Sequence, residues 1–312
     1  MVSIGSGQSP GGRFDVPDRL ATKQPGLPPG GHFDAADVLA KKAGNENFPV
    51  ASHLLAKASR ESLMAIYGFA RLTDDIGDEA QGDRLAMLDW LESDLERATA
   101  GDAINPVLRR LTPVVGGLQL SLDPFRALIE ANRMDQRVTR YESFADLVEY
   151  CMLSAAPVGR LVLSVFGVST PERVALSDKV CIGLQLIEHL QDIGEDAGRG
   201  RIYMPAEDMR RFSCSETDLL EPHAPPALKS LVAMEVSRAR ELLAAGVPLA
   251  RSLRLRPRAA VVGFAAGGLA ALDSIEGAGG DVLGTRCRPR KLGFAGHALR
   301  GLLAASSKRG RA

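Results

Sequence analysis

The chain of 312 residues contains 38 basic and 38 acidic side chains, so its formal net charge is zero at neutral pH. That balance argues against a nucleic-acid partner, which selects for a cationic surface. The four cysteines are widely spaced and form no CxxC pair, as expected of reduced thiols in a cytoplasmic protein. The N-terminal segment lacks the apolar core of a signal peptide. We therefore expect a cytoplasmic protein, and contact with a membrane surface stays open.

Apolar residues recur at spacings of three and four from about residue 49 onwards, whereas residues 1–45 are rich in Gly, Pro and Ser. We expect a disordered tail at 1–45, a helical domain at 46–306 and a frayed end at 307–312. Helices are predicted at about 49–55, 60–80, 83–99, 104–114, 123–133, 143–153, 158–166, 171–195, 225–246, 256–273 and 293–305. The longest apolar run, near 259–272, is shorter than the ~20 residues that span a bilayer and predicts a buried helix. Without a convincing period-two run, the predicted fold class is all-α.

A first acidic stripe is predicted on the helix at 60–80. Residues three and four apart share one face of a helix, so Tyr67, Arg71, Asp74 and Asp78 should lie together. The Arg71 guanidinium, planar and always charged, suits either an ion pair with a neighbouring carboxylate or a diphosphate oxygen.

A second acidic stripe is predicted on the continuous helix at 171–195. Glu188, Asp192 and Asp196 follow each other at intervals of four, and Gln185 lies one turn above them. Leucine and isoleucine residues between the acids indicate that this helix is mostly buried, so its carboxylates border the core.

The two stripes together indicate a magnesium site. Like charges one turn apart destabilise a helix, and apolar surroundings add to that cost. A hard divalent cation removes both, and Mg²⁺ prefers carboxylate oxygens and bridges to substrate phosphates. We therefore expect Asp74, Asp78, Glu188, Asp192 and Asp196 to hold magnesium that binds a diphosphate. Solvated acidic helix faces are the alternative.

Four strings, which lie within residues 45–300, make the chain resemble the squalene/phytoene synthase family. They occupy residues 47–52, 65–79, 150–160 and 185–205. The resemblance implies an all-α isoprenoid-synthase bundle around a central cavity, in which magnesium assists ionisation of a prenyl diphosphate. Two positions depart from the family pattern: Glu188 stands where Asn is frequent, and Ala156 where Gly or Asn is frequent.

Within the family the chain is most similar to the bacterial hopanoid-pathway branch that makes hydroxysqualene. Three features carry this similarity: the Asn-Phe-Pro-Val motif at 47–50, the motif at 154–160, and Gln191 in place of the more usual Arg. The implied reaction converts presqualene diphosphate and water to hydroxysqualene. Head-to-head condensation of two prenyl diphosphates, giving presqualene diphosphate or phytoene, is the alternative on the same fold. A non-catalytic assembly factor and a helical scaffold without a ligand are alternatives of another class.

The resemblance also implies roles for individual side chains. Predicted substrate-binding residues are Asn47, Arg160, Gln185 and Arg201, and predicted catalytic residues are Tyr67, Arg71, Gln191 and Tyr203. A tyrosine face can stabilise a carbocation, and a neutral amide at Gln191 can position the quenching water. Ion pairs for the arginines and buried, satisfied hydroxyls for the tyrosines are the alternatives. Asp135 is a weaker candidate for the diphosphate site.

The expected partners follow from this chemistry. They are the prenyl diphosphate substrate and the downstream hopanoid-pathway enzymes that would receive an insoluble C30 product. The basic stretch at 286–291 could touch anionic lipid at a membrane surface, or it could be a solvated turn.

Overall fold

The computed structural model describes residues 56–306, and between them the chain forms thirteen α-helices and no β-strand. The helices are α1 (Lys57–Asp78), α2 (Arg84–Ala100), α3 (Pro106–Leu118), α4 (Asp123–Met134), α5 (Phe144–Ser154), α6 (Ala156–Val165), α7 (Pro171–Gln191), α8 (Ile193–Gly198), α9 (Ala206–Arg211), α10 (Pro226–Leu243), α11 (Gly246–Ser252), α12 (Leu255–Gly277) and α13 (Lys291–Ser306). A short 3₁₀ helix, Glu216–Leu220, precedes α10. The all-α prediction is confirmed. The expected helix at 49–55 and both predicted tails lie outside the described residues.

The prediction of one continuous helix over 171–195 is wrong. Helix α7 ends at Gln191, Asp192 leaves helical geometry with ψ of 10°, and α8 begins at Ile193. Gly194 and Gly198 give α8 low intrinsic helix propensity. Backbone hydrogen bonds from Asp192 to Glu188 and from Asp196 to Asp192 still span four residues. The acids therefore keep their one-turn spacing, but the stripe is broken at its middle member. The helix predicted at 225–246 is confirmed as α10, which ends at Leu243, and α11 begins at Gly246.

Local chemistry accounts for several helix ends. The Asp83 side chain accepts a hydrogen bond from the Ala86 amide and starts α2, and Gly101 ends it at a φ of 85°. Ser143 and Asp146 form a capping box at α5. Thr170 caps α7 directly before Pro171, a residue preferred in the first helical turn.

Two apolar cores support the two acidic helices separately. One joins α1 to α2, α3, α4 and α6, and contains the edge-to-face pair Phe69–Phe125 with ring centroids 5.1 Å apart. The other joins α7 to α5, α10 and α12 through buried side chains such as Leu186, Leu228 and Ala271. Each helix buries its apolar side, which leaves its carboxylates at the edge of a core.

Helix α12 is a packed helix of this second core, as its apolar sequence predicted. A methyl group at Gly268 would lie 2.7 Å from Leu184 Cδ2 and 2.9 Å from Leu243 Cδ1, so glycine permits close packing here. Leu255–Gly277 and Phe144–Val165 are long and apolar enough to cross a membrane by composition. Both stretches are about half buried within the protein, which is also the pattern of core helices.

A buried carboxylate in α10 lies outside the acidic stripes. Glu235 is almost fully buried and shares Arg238 with Asp208, at 2.7 Å and 2.8 Å respectively. Burial raises the pKa of Glu235 from 4.5 to about 7, and Asp208 acts in the same direction while Arg238 opposes it.

Replacing Glu235 with glutamine should remove a pH dependence of stability. Because the folded pKa lies above the unfolded one, the unfolded chain ionises first as pH rises from 4.5 to about 7, and wild-type stability falls across that range. The unfolding free energy of Glu235→Gln relative to wild type should therefore rise with pH by on the order of 3 kcal/mol. Urea denaturation at pH 4.5 and pH 8 measures this. The exposed Glu241→Gln on the same helix is the control, and a pH-independent difference would contradict the raised pKa.

Candidate active site

An ion pair brings the two acidic regions together. Arg201, just after α8, places Nη1 2.6 Å from Asp78 Oδ1 on α1. A parallel bridge between Arg140 and Ile202 fixes this segment, with the Ile202 amide donating to the Thr139 carbonyl at 2.9 Å. The predicted substrate-binding Arg201 and the predicted metal ligand Asp78 therefore occupy one site.

In the first stripe, Asp74 is held from a second helix. Asn132 Nδ2 on α4 donates to Asp74 Oδ1 at 3.2 Å. The Asp74 side chain is exposed at the rim of the site, and the protein packed around that rim raises the pKa of its carboxyl to about 6. The Asn132 hydrogen bond opposes that rise, and Asp78 adds to it. The sequence pattern did not mark Asn132 as a site residue, because it is a single polar residue near the end of a helix.

Gly77 makes room for Asn132. A methyl group there would overlap the Asn132 carboxamide and lie 2.9 Å from its Cγ and 3.3 Å from its Cβ. A contact of 2.9 Å is shorter than real Cβ atoms make. The Cγ and Cβ atoms of Asn132 are close to the backbone of α4, so they cannot move aside easily.

Gly77→Ala should displace Asn132 from Asp74 and destabilise the fold by about 1–3 kcal/mol, the usual cost of overpacking. Gly116→Ala on α3 is the matched control, because a methyl group there meets nothing within 4 Å and should stabilise its helix by about 0.5–1 kcal/mol. Thermal denaturation of both variants measures the difference. Equal melting temperatures would show that the space between Gly77 and Asn132 accommodates a methyl group.

In the second stripe, surrounding protein and neighbouring acids raise the pKa values of two carboxyls. Burial, followed by the charge of Asp192, raises the pKa of Asp196 to about 7. Burial raises the pKa of Asp192, and Glu195 adds to this while Arg199 and Arg286 oppose it. The anionic form of Asp196 is therefore disfavoured near neutral pH. Glu188 lies one turn earlier on α7 and is partly buried.

The side chains of the described residues do not by themselves form a closed metal cage. Within residues 56–306 no group of three His, Cys, Asp or Glu side chains is close enough to hold one ion. A site that supplies one or two carboxylates for each ion and leaves the remaining positions to water and phosphate oxygens is the arrangement magnesium prefers. The carboxylates of the two stripes match that donor type.

An aromatic cluster borders this site and converges on Asp135. The Asp135 carboxylate accepts hydrogen bonds from Tyr150 Oη at 2.8 Å and from Tyr203 Oη at 2.9 Å. His189 stacks on Tyr203 with ring centroids 4.0 Å apart, and burial lowers the pKa of His189 to about 3, which keeps it neutral. Burial raises the pKa of Asp135, against the two tyrosine hydrogen bonds. Asp135 is thus the centre of the polar cluster, where sequence reasoning gave it only a minor place.

Three other predicted residues lie in pairs of their own. Arg71 pairs with Asp75 one turn away at 2.8 Å, and Arg160 binds Asp178 through Nε at 3.0 Å and Nη2 at 2.8 Å. These are the ion pairs that the sequence left as alternatives. Gln185 Nε2 lies 3.5 Å from His189 Nε2, which places it beside the aromatic cluster.

The remaining predicted residues occupy different positions. Tyr67 is half-buried on α1, and its charge interaction is with Arg71. Gln191, at the last position of α7, donates from Nε2 to the Cys287 carbonyl in the segment before α13. This bond fixes one end of the amide beside Asp192. Asn47 lies outside the described residues.

Cavities of very different size lie at the candidate site and away from it. One of about 10 Å³, enough for a single water, is lined by His189, Asp196, Arg201 and Tyr203 among others. The other, of about 340 Å³, lies between α10, α11, α12 and α13, and its lining contains no residue of either stripe.

The sequence profile of the squalene/phytoene synthase family matches residues 41–293, most of the chain. The chain belongs to the squalene/phytoene synthase family. It is 38% identical over 203 residues to the hydroxysqualene synthase of Zymomonas mobilis subsp. mobilis, covering 64% of this chain and 68% of that one. It is also 38% identical over 219 residues to the hydroxysqualene synthase of Rhodopseudomonas palustris, covering 67% and 72%. The phytoene synthase of Arthrospira platensis is 34% identical over 211 residues, covering 63% and 68%.

Solved structures of the squalene/phytoene synthase family share the fold. The squalene synthase HpnC of Alicyclobacillus acidocaldarius superposes with a TM-score of 0.72 at 38% identity, covering 78% of this chain and 94% of that one. A dehydrosqualene synthase in complex with a ligand gives 0.77 at 26% identity, covering 86% and 95%. The fold is therefore the all-α isoprenoid-synthase fold, and the chain is an enzyme of the squalene/phytoene synthase type.

Proposed function

We propose that this protein is a magnesium-dependent hydroxysqualene synthase, which converts presqualene diphosphate and water to hydroxysqualene and diphosphate. The ion pair between Arg201 and Asp78, which joins the two acidic regions, supports the diphosphate chemistry. The similarity to hydroxysqualene synthases and the presence of Gln191 before Asp192 favour this reaction within the family.

The donor set of the two stripes fits magnesium. The protein packed around Asp74 and Asp196, together with neighbouring carboxylates, raises the pKa values of both groups. A divalent cation would favour those anions. We assign Asp74, Asp78, Asp192 and Asp196 as ligands, with Glu188 as a further one. When bound, magnesium would neutralise the diphosphate leaving group as its carbon–oxygen bond breaks.

The protein's own groups act around that bond. Arg201 supplies a fixed guanidinium for diphosphate oxygens once substrate competes with Asp78, and the electron pair of the broken bond leaves with the diphosphate. The rings of Tyr203 and Tyr150 can face the carbocation, because Asp135 holds both hydroxyls. Water then forms a new carbon–oxygen bond and loses one proton. One presqualene diphosphate and one water thus give one alcohol and one diphosphate.

A product assay tests the proposal. Purified protein incubated with presqualene diphosphate and magnesium should yield hydroxysqualene, and chelation with EDTA should abolish the yield. Parallel incubation with farnesyl diphosphate tests head-to-head condensation, which the similarity to phytoene synthases favours as the second candidate. Formation of presqualene diphosphate or of a longer condensation product, with no hydroxysqualene in the first incubation, would assign the protein to that candidate. No turnover of either substrate would favour an assembly factor.

Gln191→Arg should change the fate of the carbocation. The amide has one end fixed on the Cys287 carbonyl, so its position beside Asp192 is defined. A longer cation there would occupy the place that we propose for the quenching water. We expect at least a fivefold fall in the fraction of product that is hydroxysqualene, measured by gas chromatography and mass spectrometry. An unchanged product ratio would remove Gln191 from the list of catalytic residues.

We also propose a cytoplasmic location for the active site and a hopanoid-pathway enzyme as the consumer of the product. A C30 alcohol is nearly insoluble in water, so its transfer to the next enzyme requires an apolar route. Co-purification of product with a membrane fraction, rather than with the protein-free supernatant, is the expected result.

A further inference from the structure

Helix α13 exposes a row of leucines to solvent. Leu292, Leu299 and Leu303 follow at intervals of seven and four, which places them on one face of the helix. Their side chains are 88%, 60% and 62% exposed, and Leu302 beside them is also exposed. Single exposed leucines are ordinary, but an aligned row on one helix marks an interaction surface.

The opposite side of α13 is attached to the protein. His297 Nε2 lies 2.6 Å from Asp273 on α12, Ala305 is buried, and Arg251 donates to the Ala304 carbonyl at 3.0 Å. A methyl group at Gly301 would lie 2.9 Å from Val262 Cγ1. The helix is therefore anchored in one rotational setting, which keeps its leucines outward.

Exposed cations lie at both ends of the leucine row. Arg288 and Arg290 precede the helix and Lys291 is its first residue. All three are exposed, and none makes an ion pair with a carboxylate of residues 56–306. The other end of α13 lies against the start of α12, since Gly301 packs on Val262. There the exposed Arg254 and Arg256 flank Leu255, which is 86% exposed.

The same region lacks negative charge in its sequence. From Val282 to Ser306 the chain contains five Arg or Lys residues and no Asp or Glu. One of the five, Arg286, faces Asp192 at the active site, so four remain for the surface. Residues 249–272 contain four arginines and again no acid. In a chain with equal numbers of acidic and basic residues, this is a strongly segregated arrangement.

We propose that α13, together with the turn at the start of α12, is a membrane-docking surface for an anionic lipid bilayer. The leucine row enters the boundary between headgroups and acyl chains, and the cations at its ends bind lipid phosphates. An apolar face flanked by arginine and lysine is the arrangement that binds an interfacial helix to anionic lipid. A protein partner would require acidic groups facing both ends of the row, whereas a bilayer supplies phosphates everywhere. The proposal stands independently of the reaction that the enzyme catalyses.

Vesicle co-sedimentation of the full chain tests the proposal. Wild type should bind vesicles of phosphatidylcholine with 30% phosphatidylglycerol at least tenfold more strongly than vesicles of phosphatidylcholine alone. The double variant Leu299→Glu/Leu303→Glu should lose at least tenfold of that binding. Leu220→Glu is the matched control, because Leu220 is also 60% exposed but lies on the 3₁₀ helix before α10, and its binding should equal wild type.

A second pair of variants separates the charge contribution. Arg288→Gln/Arg290→Gln should weaken binding to anionic vesicles and reduce its dependence on salt, with unchanged circular dichroism and melting temperature. Equal binding of wild type to both vesicle types, or unchanged binding of the leucine double variant, would overturn the proposal. A dimer in light scattering that dissociates in the leucine variant, without vesicle binding by wild type, would assign the face to a second copy of the chain.

Discussion

Asp74→Asn and Asp196→Asn should each lower turnover by at least about 100-fold while leaving the melting temperature unchanged or higher. Both carboxyls have raised pKa values, so their ionised forms cost folding free energy at neutral pH. An amide of nearly the same shape removes that cost but also removes a charged oxygen ligand. Loss of activity combined with retained stability is the signature of a group maintained for function.

Single-turnover assays with presqualene diphosphate at saturating magnesium, together with thermal denaturation without metal, measure the two effects. Asp102→Asn is the control, since Asp102 is an exposed carboxylate in the loop after α2 and should leave both quantities unchanged. If Asp74→Asn and Asp196→Asn both retained more than half of wild-type turnover, the metal assignment would be wrong. Metal binding followed by calorimetry with a diphosphate analogue gives a second readout that does not depend on turnover.

The acidic stripes were predictable because helical spacing is a local property. Asp74 and Asp78 lie four residues apart, and any helix through them places both on one face. The break at Asp192 was not predictable in the same way, because the four-residue hydrogen bonds on either side of it are retained. The acids are therefore spaced four residues apart whether or not the helix breaks at Asp192, and their spacing does not reveal the break.

The sequence pattern could not predict which residues contact each other between distant helices. The pair between Arg201 and Asp78 joins residues 123 positions apart, and neither position carries a signal for the other. Asn132 and Asp135 end α4 as ordinary polar residues of a helix terminus, yet they hold Asp74 and two tyrosines. The sequence did not distinguish Arg160 from Arg201, because both were predicted to bind substrate. In the structure, of these two, only Arg201 pairs with a carboxylate of an acidic stripe.

Asp135→Asn should lower kcat by about 10–100-fold, with a smaller change in KM, and destabilise the fold by about 1–3 kcal/mol. Asp135 accepts from Tyr150 and Tyr203 at once, and an amide offers only one acceptor oxygen, so one buried hydroxyl loses its acceptor. The released ring can rotate away from the carbocation, which affects the chemical step more than substrate binding.

Asp208→Asn separates this positioning role from a general loss of stability. Asp208 is also buried and also bonded to a neighbour, Arg238, but it lies outside the aromatic cluster. It should lower the melting temperature while kcat stays within about twofold of wild type. Tyr203→Phe completes a double-mutant cycle with Asp135→Asn: coupling of about 0.5–3 kcal/mol in the activation free energy is expected for groups in direct contact. Additive effects, or a kcat of Asp135→Asn equal to that of Asp208→Asn, would show that Asp135 supports the fold and not the reaction.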